Sequence, residues 1–258
     1  MAVLKHVDFE APNWGELASG PVDLLSFRNL LLSHSPELYW RLGEPTGTTV
    51  NDASGNSRAG TYSNTPTLGQ AGAPAFDSDT AVQFAHGSSE YAEADSYQGI
   101  TGTGARSLLY FYKGAGGGTH ASQQPHVGWG AGDAGALWMA SINSNAGHGN
   151  AGAARIGLGS GYRVGTTPID DNAWHLIVWT CPASGTMNNV TLYVDGAIES
   201  FTGSSGTATI NTGSNNVHVA RWPYQAEYAS GAIDECAIFS AELTAAQILD
   251  LWQAAIGG

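Results

Sequence analysis

The sequence predicts an all-β fold, an antiparallel sandwich or barrel carrying one short helix near each end. Two observations lead there. From Glu37 onward, short apolar runs alternate with clusters of Gly, Asn, Ser and Pro, the pattern of strands joined by turns. Apolar residues at helical spacing are confined to one stretch near the start and one at the end.

Composition agrees with that class. The 258 residues, 42% of them hydrophobic, suffice for a sizeable core, while eight Trp and ten Tyr argue against disorder. Only 12% are charged, 22 acidic against 9 basic, and the formal charge of −13 repels both nucleic acid and anionic membrane. Neither is expected as a partner. No run approaches the ~18 apolar residues of a membrane span, so no membrane insertion is expected. The first residues, Met1-Ala-Val-Leu-Lys-His-Val-Asp8, carry no apolar signal core. The chain is therefore expected to stay where it is made or to leave by lysis or a leaderless route. Cys181 and Cys236 each lie in an apolar strand-like run; their spacing leaves a bridge open, and buried free thiols are the expectation.

The elements follow in order. Residues 1–34 form an N-terminal arm and a short helix: Phe9, Pro12 and Trp14 lie in an irregular segment, and Leu24, Phe27 and Leu31 trace a helical face from about Val22 to Leu32. Residues 35–258 form the main domain. Its clearest strands fall at 38–42, 81–84, 107–112, 136–140, 174–180, 190–194, 216–220 and 233–239. The Gly-rich stretch 113–119 lacks the Lys-Ser/Thr helix start of a phosphate cradle and reads as a turn. At the end, Thr244 and Gln247 have the spacing of a capping box and Leu243 and Ile248 that of a hydrophobic staple. Ile248, Leu251, Trp252 and Ala255 then give one apolar face, so this helix should lie on the sandwich as a lid.

Several short motifs occur together: Glu37-Leu-Tyr-Trp-Arg-Leu-Gly-Glu44, Asp52-Ala-Ser-Gly-Asn56, Gly60-Thr-Tyr62, Thr80-Ala-Val-Gln-Phe84, Ala173-Trp-His175, Leu192-Tyr-Val-Asp-Gly196 and Gly231-Ala-Ile-Asp-Glu235. As an ordered set over roughly residues 35–256 they resemble the laminin-G-like, concanavalin A-like lectin/glucanase domain. The resemblance implies a jelly roll of two large antiparallel sheets with first and last strands adjacent. It implies no single function, since that fold hosts glycan binders, glycanases, adhesion modules and virion components.

An enzyme is not expected. Glycanases of this architecture carry carboxylates in a pattern like Glu-x-Asp-x-x-Glu, and aligning it on Asp234 puts Ala232 and Ala237 where the outer acids should be. Asp234 and Glu235 are consecutive, and alternation along a strand sends them to opposite faces. Glu90, Glu93 and Asp95 read as solvated acids of a polar edge strand. No His-x-x-x-His, Cys-x-x-Cys or Gly-x-Ser-x-Gly occurs, and His175 at a strand start reads as structural.

Two binding sites are candidates. Asp52 and Asn56, with Asp234, offer hard oxygens to a structural calcium; the alternative is an Asx-turn in which Asp52 bonds its own downstream amides. Trp222, Tyr224 and Tyr228, with Trp129 and the 143–150 loop as second choice, offer a glycan platform; core packing is the alternative for each aromatic. If the first and last strands pair, Arg41 is the counter-ion for Asp234 or Glu235. No other cofactor is expected.

The resulting expectation is a non-catalytic component of a larger assembly. The arm residues Phe9, Trp14, Leu24, Phe27 and Leu31 would dock on a protein partner, a second copy or virion proteins. The lectin-like domain would project outward, in reach of host glycans. A phage virion is the expected location, as a capsid decoration, collar or tail protein. The alternative is a free carbohydrate-binding module of a bacterial surface or secreted system, located outside the cell.

Overall fold

The computed structural model describes residues 26–73, 78–114 and 123–257. Phe9, Trp14, Leu24 and most of the Gly-rich stretch 113–119 lie outside them. The helix α1 runs Phe27–Ser33, with the Ser26 side chain accepting from Asn29 N–H as its N-cap. The earlier start near Val22 also lies outside the described residues.

Among the described residues seventeen strands follow. They are β1 (Leu38–Trp40), β2 (Thr49–Val50), β3 (Gly60–Ser63), β4 (Thr67–Ala71), β5 (Thr80–Phe84), β6 (Tyr91–Ala94), β7 (Arg106–Lys113), β8 (Pro125–Gly130) and β9 (Leu137–Ile142). Then come β10 (Ala153–Gly157), β11 (Tyr162–Pro168), β12 (His175–Cys181), β13 (Thr191–Val194), β14 (Ala197–Ile198), β15 (Gly203–Ser205), β16 (His218–Val219) and β17 (Gly231–Phe239). Helix α2, Ala245–Ile256, closes the chain, with the Thr244/Gln247 capping box formed in both directions.

The strands make two antiparallel sheets. One has the order β14-β13-β12-β7-β17-β5-β4, with β1 also paired to β17; the other has the order β15-β11-β10-β9-β8-β16-β6-β3-β2. Tyr39 lies opposite Ala237, so the first strand closes on the last. This is the concanavalin A-like sandwich.

Apolar side chains separate into two layers. Between the sheets lie Trp40, Trp129, Trp138, Trp179, Cys236 and Ile238, all buried. On the outer face of the first sheet, Leu109, Phe111 and Phe239 are covered by Ile248 and Leu251 of α2 and by Phe27 of α1. The Phe27 ring meets Phe111 edge-on at 5.6 Å. Phe27 and Leu31 are thus fully buried against their own chain, whereas the sequence suggested a partner-facing role. A helix with a two-residue apolar face beside an unfilled stretch of sheet gains more by burying it at once.

Two further expectations change. Strand β6 is internal, between β3 and β16, so Glu90 and Glu93 do not sit on a sheet edge. Alternation also breaks within β17. Asp234 lies opposite Phe111 and Ala237 opposite Leu109, leaving two residues to face Tyr110 alone, and Glu235 takes a left-handed φ of 51°. This bulge returns Ile233, Cys236 and Ile238 to the inner layer and turns both acids to the side of Tyr39 and Phe111.

Candidate functional site

The bulge gathers a cluster where the chain closes. Arg41, just past β1, sends Nη2 to Glu235 Oε1 at 3.1 Å and to Asp79 Oδ2 at 2.7 Å, while its Nε lies 3.3 Å from Glu235 Oε1. The Tyr39 hydroxyl donates to the other Glu235 oxygen. Asp234 accepts from Ala73 N–H at 2.8 Å and from Glu235 N–H at 2.9 Å. Burial, and then the neighbouring Glu235 charge, hold the Asp234 carboxyl well above its ordinary value. With 2% and 1% exposure, Asp234 and Glu235 have no room for a sugar between them. Their separation from catalysis comes from enclosure and not from facing opposite ways.

The proposed calcium ligands are not brought together. Asp52 Oδ1 accepts from Tyr39 N–H and Ser54 N–H, and Oδ2 from the Ser54 hydroxyl and Arg58 N–H. Asn56 turns its amide nitrogen to the Pro36 and Glu37 carbonyls. A carboxylate already taking four donors and an amide presenting nitrogen do not fit a cation that needs about six oxygens. The loop is an Asx-turn that ties β1 to the following strands.

Among the described residues no α-helix lies on the outer face of the second sheet, and the segment 221–228 crosses it. Trp222, 7% exposed, packs on Leu137 and Met139 of β9 and meets Tyr224 edge-on at 5.8 Å. Tyr224 is 42% exposed. Tyr228 is half-buried and leans on Tyr91 at 6.0 Å, while the Arg221 guanidinium covers the Tyr91 ring at 4.7 Å. Trp129, the second-choice aromatic, belongs to the inner layer, fully buried with its N–H on Ile100 O.

Beside this segment lies a cleft of about 390 Å³ lined by Glu93, Asn215, Asn216, His218, Arg221 and Pro223. Burial lowers the His218 pKa, so the 3.4 Å contact of its Nε2 with Glu93 involves a neutral ring at neutral pH. Polar groups of both signs beside a ring that faces outward can hold a hydroxyl-rich ligand.

Across β9 to β11 the same face holds Ser141, Arg155 and Tyr162, none of which the sequence reading singled out. Arg155 stands opposite Ser141 on the neighbouring strand and its guanidinium lies 5.0 Å from the Tyr162 ring. His148 of the 143–150 loop stacks on the other reach of Tyr162 at 4.5 Å. The one available signal was the run Ala-Ala-Arg-Ile-Gly, which puts a cation inside an apolar strand.

Both cysteines are free and buried. His175 sits between two acids, its Nδ1 2.8 Å from Asp195 Oδ2 and its Nε2 3.1 Å from Asp171 Oδ1, pinning the start of β12 to the β13–β14 turn.

The comparisons with known proteins match this geometry in fold. The family model of the concanavalin A-like lectin/glucanases superfamily matches residues 87–249. No curated protein matches in sequence. Among solved structures, domain 4 of AbnA, an extracellular arabinanase from Geobacillus stearothermophilus determined with arabinotriose, superposes with a TM-score of 0.59 at 18% identity, covering 85% of this chain and 98% of that one. The binding domain of Paraclostridial Mosquitocidal Protein 1 gives 0.61 at 11%, covering 86% and 52%. The binding domain of botulinum neurotoxin DC, determined with SialylT, gives 0.56 at 12%, covering 86% and 51%. The chain thus spans about half the length of these toxin domains.

Proposed function

Because the chain belongs to the concanavalin A-like lectin/glucanase superfamily, we propose that it is a non-catalytic, lectin-like domain that binds glycans on the helix-free face of its second sheet. The observation that carries this is the 221–228 segment, which contributes Arg221 and Pro223 to the polar cleft at His218 and carries the exposed Tyr224 ring one residue further on. A sugar face stacks on such a ring while its hydroxyls meet Asn, His and Arg side chains. The arabinotriose and SialylT complexes of structures with the same fold support the reading.

A glycan array with the full chain tests it. Binding to at least one oligosaccharide class is expected, with a loss of about tenfold or more in Tyr224→Ala, the equivalent of ~1.4 kcal/mol for one stacked ring. An array without any bound glycan would sink the proposal.

The finer reading places this domain in an assembly, a phage virion as decoration, collar or tail protein. Its support is the aromatic arm with Phe9 and Trp14, outside the described residues; Phe27 and Leu31, buried on the sandwich, no longer contribute to it. A chain lacking residues 1–25 should stay folded and fail to join the assembly. Full incorporation of that chain would remove the arm from the argument.

A further inference from the structure

Among the described residues, the structure gives most cationic side chains an evident employer. Arg41 and Arg58 pair with acids, and Arg221 lies 3.9 Å from Glu93. Arg106 is fully buried without a carboxylate, yet it donates to the Ile100, Gly102 and Gly104 carbonyls and to the Thr212 hydroxyl at 2.7–3.1 Å. Its charge is spread over a cage of oxygens, a structural role.

Arg155 is different. It is 93% buried, by its 7% exposure, and among the described residues its Nε and Nη1 find no hydrogen-bond partner. The groups around it are rings: Tyr162 at 5.0 Å, and Trp222, whose edge lies over Gly157 beside Arg155 Nη1. Burial lowers the guanidinium only to about 10, so it stays a cation at neutral pH.

A buried cation with idle donors is costly, and a fold does not retain it without a partner that is met some of the time. Two more idle groups lie on the same patch. Ser141 Oγ, on the strand position opposite Arg155, is buried and unpartnered, and so is Nδ1 of His148, whose ring stacks on Tyr162. Gly157 leaves room for the Arg155 guanidinium, because a Cβ there would stand 3.2 Å from Arg155 Nη1. Three side chains with idle polar atoms thus lie on one face, beside aromatic rings, and among the described residues none of the three pairs with a carboxylate.

Resting on the glycan-binding reading, we infer that the ligand is an acidic sugar: an otherwise neutral oligosaccharide bearing one oxyanion, which Arg155 and Ser141 hold while Tyr224 stacks on the ring. Arg forks match planar carboxylates with two parallel bonds, and a charge pair in so enclosed a place is strong and little screened by salt. A polyanion does not fit, since the formal charge of −13 repels repeated charges from the rest of the surface. A carboxylate and a sulfate ester share the required chemistry.

The test uses the full chain and matched pairs in titration calorimetry: 3′-sialyllactose against lactose, glucuronosyl-xylotriose against xylotriose, and 3′-sulfolactose against lactose. At least one acidic member should bind about tenfold tighter than its neutral counterpart, a difference of ~1.4 kcal/mol. The pair that shows it tells carboxylate from sulfate. Arg155→Gln should abolish the preference, bringing the affinity for the acidic member down to that of its neutral counterpart, while Arg155→Lys should keep part of it. Thermal melting separates this from a structural role: removing an idle buried cation should hold or raise Tm, and a marked fall in both variants would overturn the inference. Equal affinity for acidic and neutral members would also overturn it while leaving the glycan reading intact. If neither member of any pair binds, and no other sugar does, the glycan reading fails and takes this inference with it.

Discussion

At the scale of single residues, Arg41 decides whether the sandwich closes. Glu235 is 1% exposed and its two oxygens are held by Arg41 and the Tyr39 hydroxyl, with Asp79 on the same guanidinium. Removing the guanidinium leaves an ionised carboxylate enclosed among acids, which is far more costly than losing an exposed pair. Arg41→Met should therefore lower unfolding free energy by about 3 kcal/mol in urea titrations, discounted because Arg41 keeps a quarter of its side chain in solvent. A change below the ~0.5 kcal/mol typical of surface sites would remove the cluster from the account of stability. The sequence contained the components of this cluster, Arg41 and two adjacent acids on strands that meet. It did not indicate Asp79, which arrives from a loop, nor Arg155, whose neighbours are far apart in sequence.

At the scale of elements, what was legible followed from periodicity, and what was not followed from exceptions to it. Helix α2 carries its start signal in Thr244 and Gln247 and its apolar face at regular spacing, so its place and cap could be read directly. Strand β17 could be located in the same way, but its facing could not. The usual sign of a bulge is Gly in the left-handed region, and here Glu235 occupies that conformation, held there by Arg41 and Tyr39. Helix α1 shows a second limit: its two buried apolar residues, Phe27 and Leu31, are equally suited to a partner or to the chain's own sheet. Their burial against Phe111 makes a distinction. Phe27→Ala should destabilise the purified chain by about 3 kcal/mol, the ordinary loss for a large core ring, measured by chemical denaturation. A helix serving a partner alone would leave that measurement unmoved.

At the scale of the whole molecule, the excess of acids finds a use inside the fold. Glu199, just after β14 in the first sheet, accepts from Thr166 and Thr167 N–H and from both their hydroxyls on β11 of the second, at 2.6–3.0 Å, and so clips the two sheets together. Asp52 does the same for β1 with its four donors. In a chain with nine cationic residues, backbone amides and hydroxyls do much of the work that Lys and Arg do elsewhere. This fixes the form of the pH–stability curve. Burial pushes the Asp52 and Glu199 carboxyls up, but the donors outweigh it and hold both below their ordinary values. A depressed carboxylate contributes stability above its unfolded pKa, near 4, and loses it as pH falls through the folded value. On the other side, the bond to Asp195, opposed by burial, raises the His175 pKa above 6.5. That contribution is complete below 6.5 and is lost as pH rises through the folded value. Lowering the pH from 7 also reduces the self-repulsion of a molecule at −13. Tm should therefore rise from pH 8 to a maximum between about 5 and 6, then fall below about 4. His175→Asn should flatten the alkaline limb alone, and Glu199→Gln the acid limb alone. A curve that keeps both limbs in both variants would mean that other groups set the pH dependence.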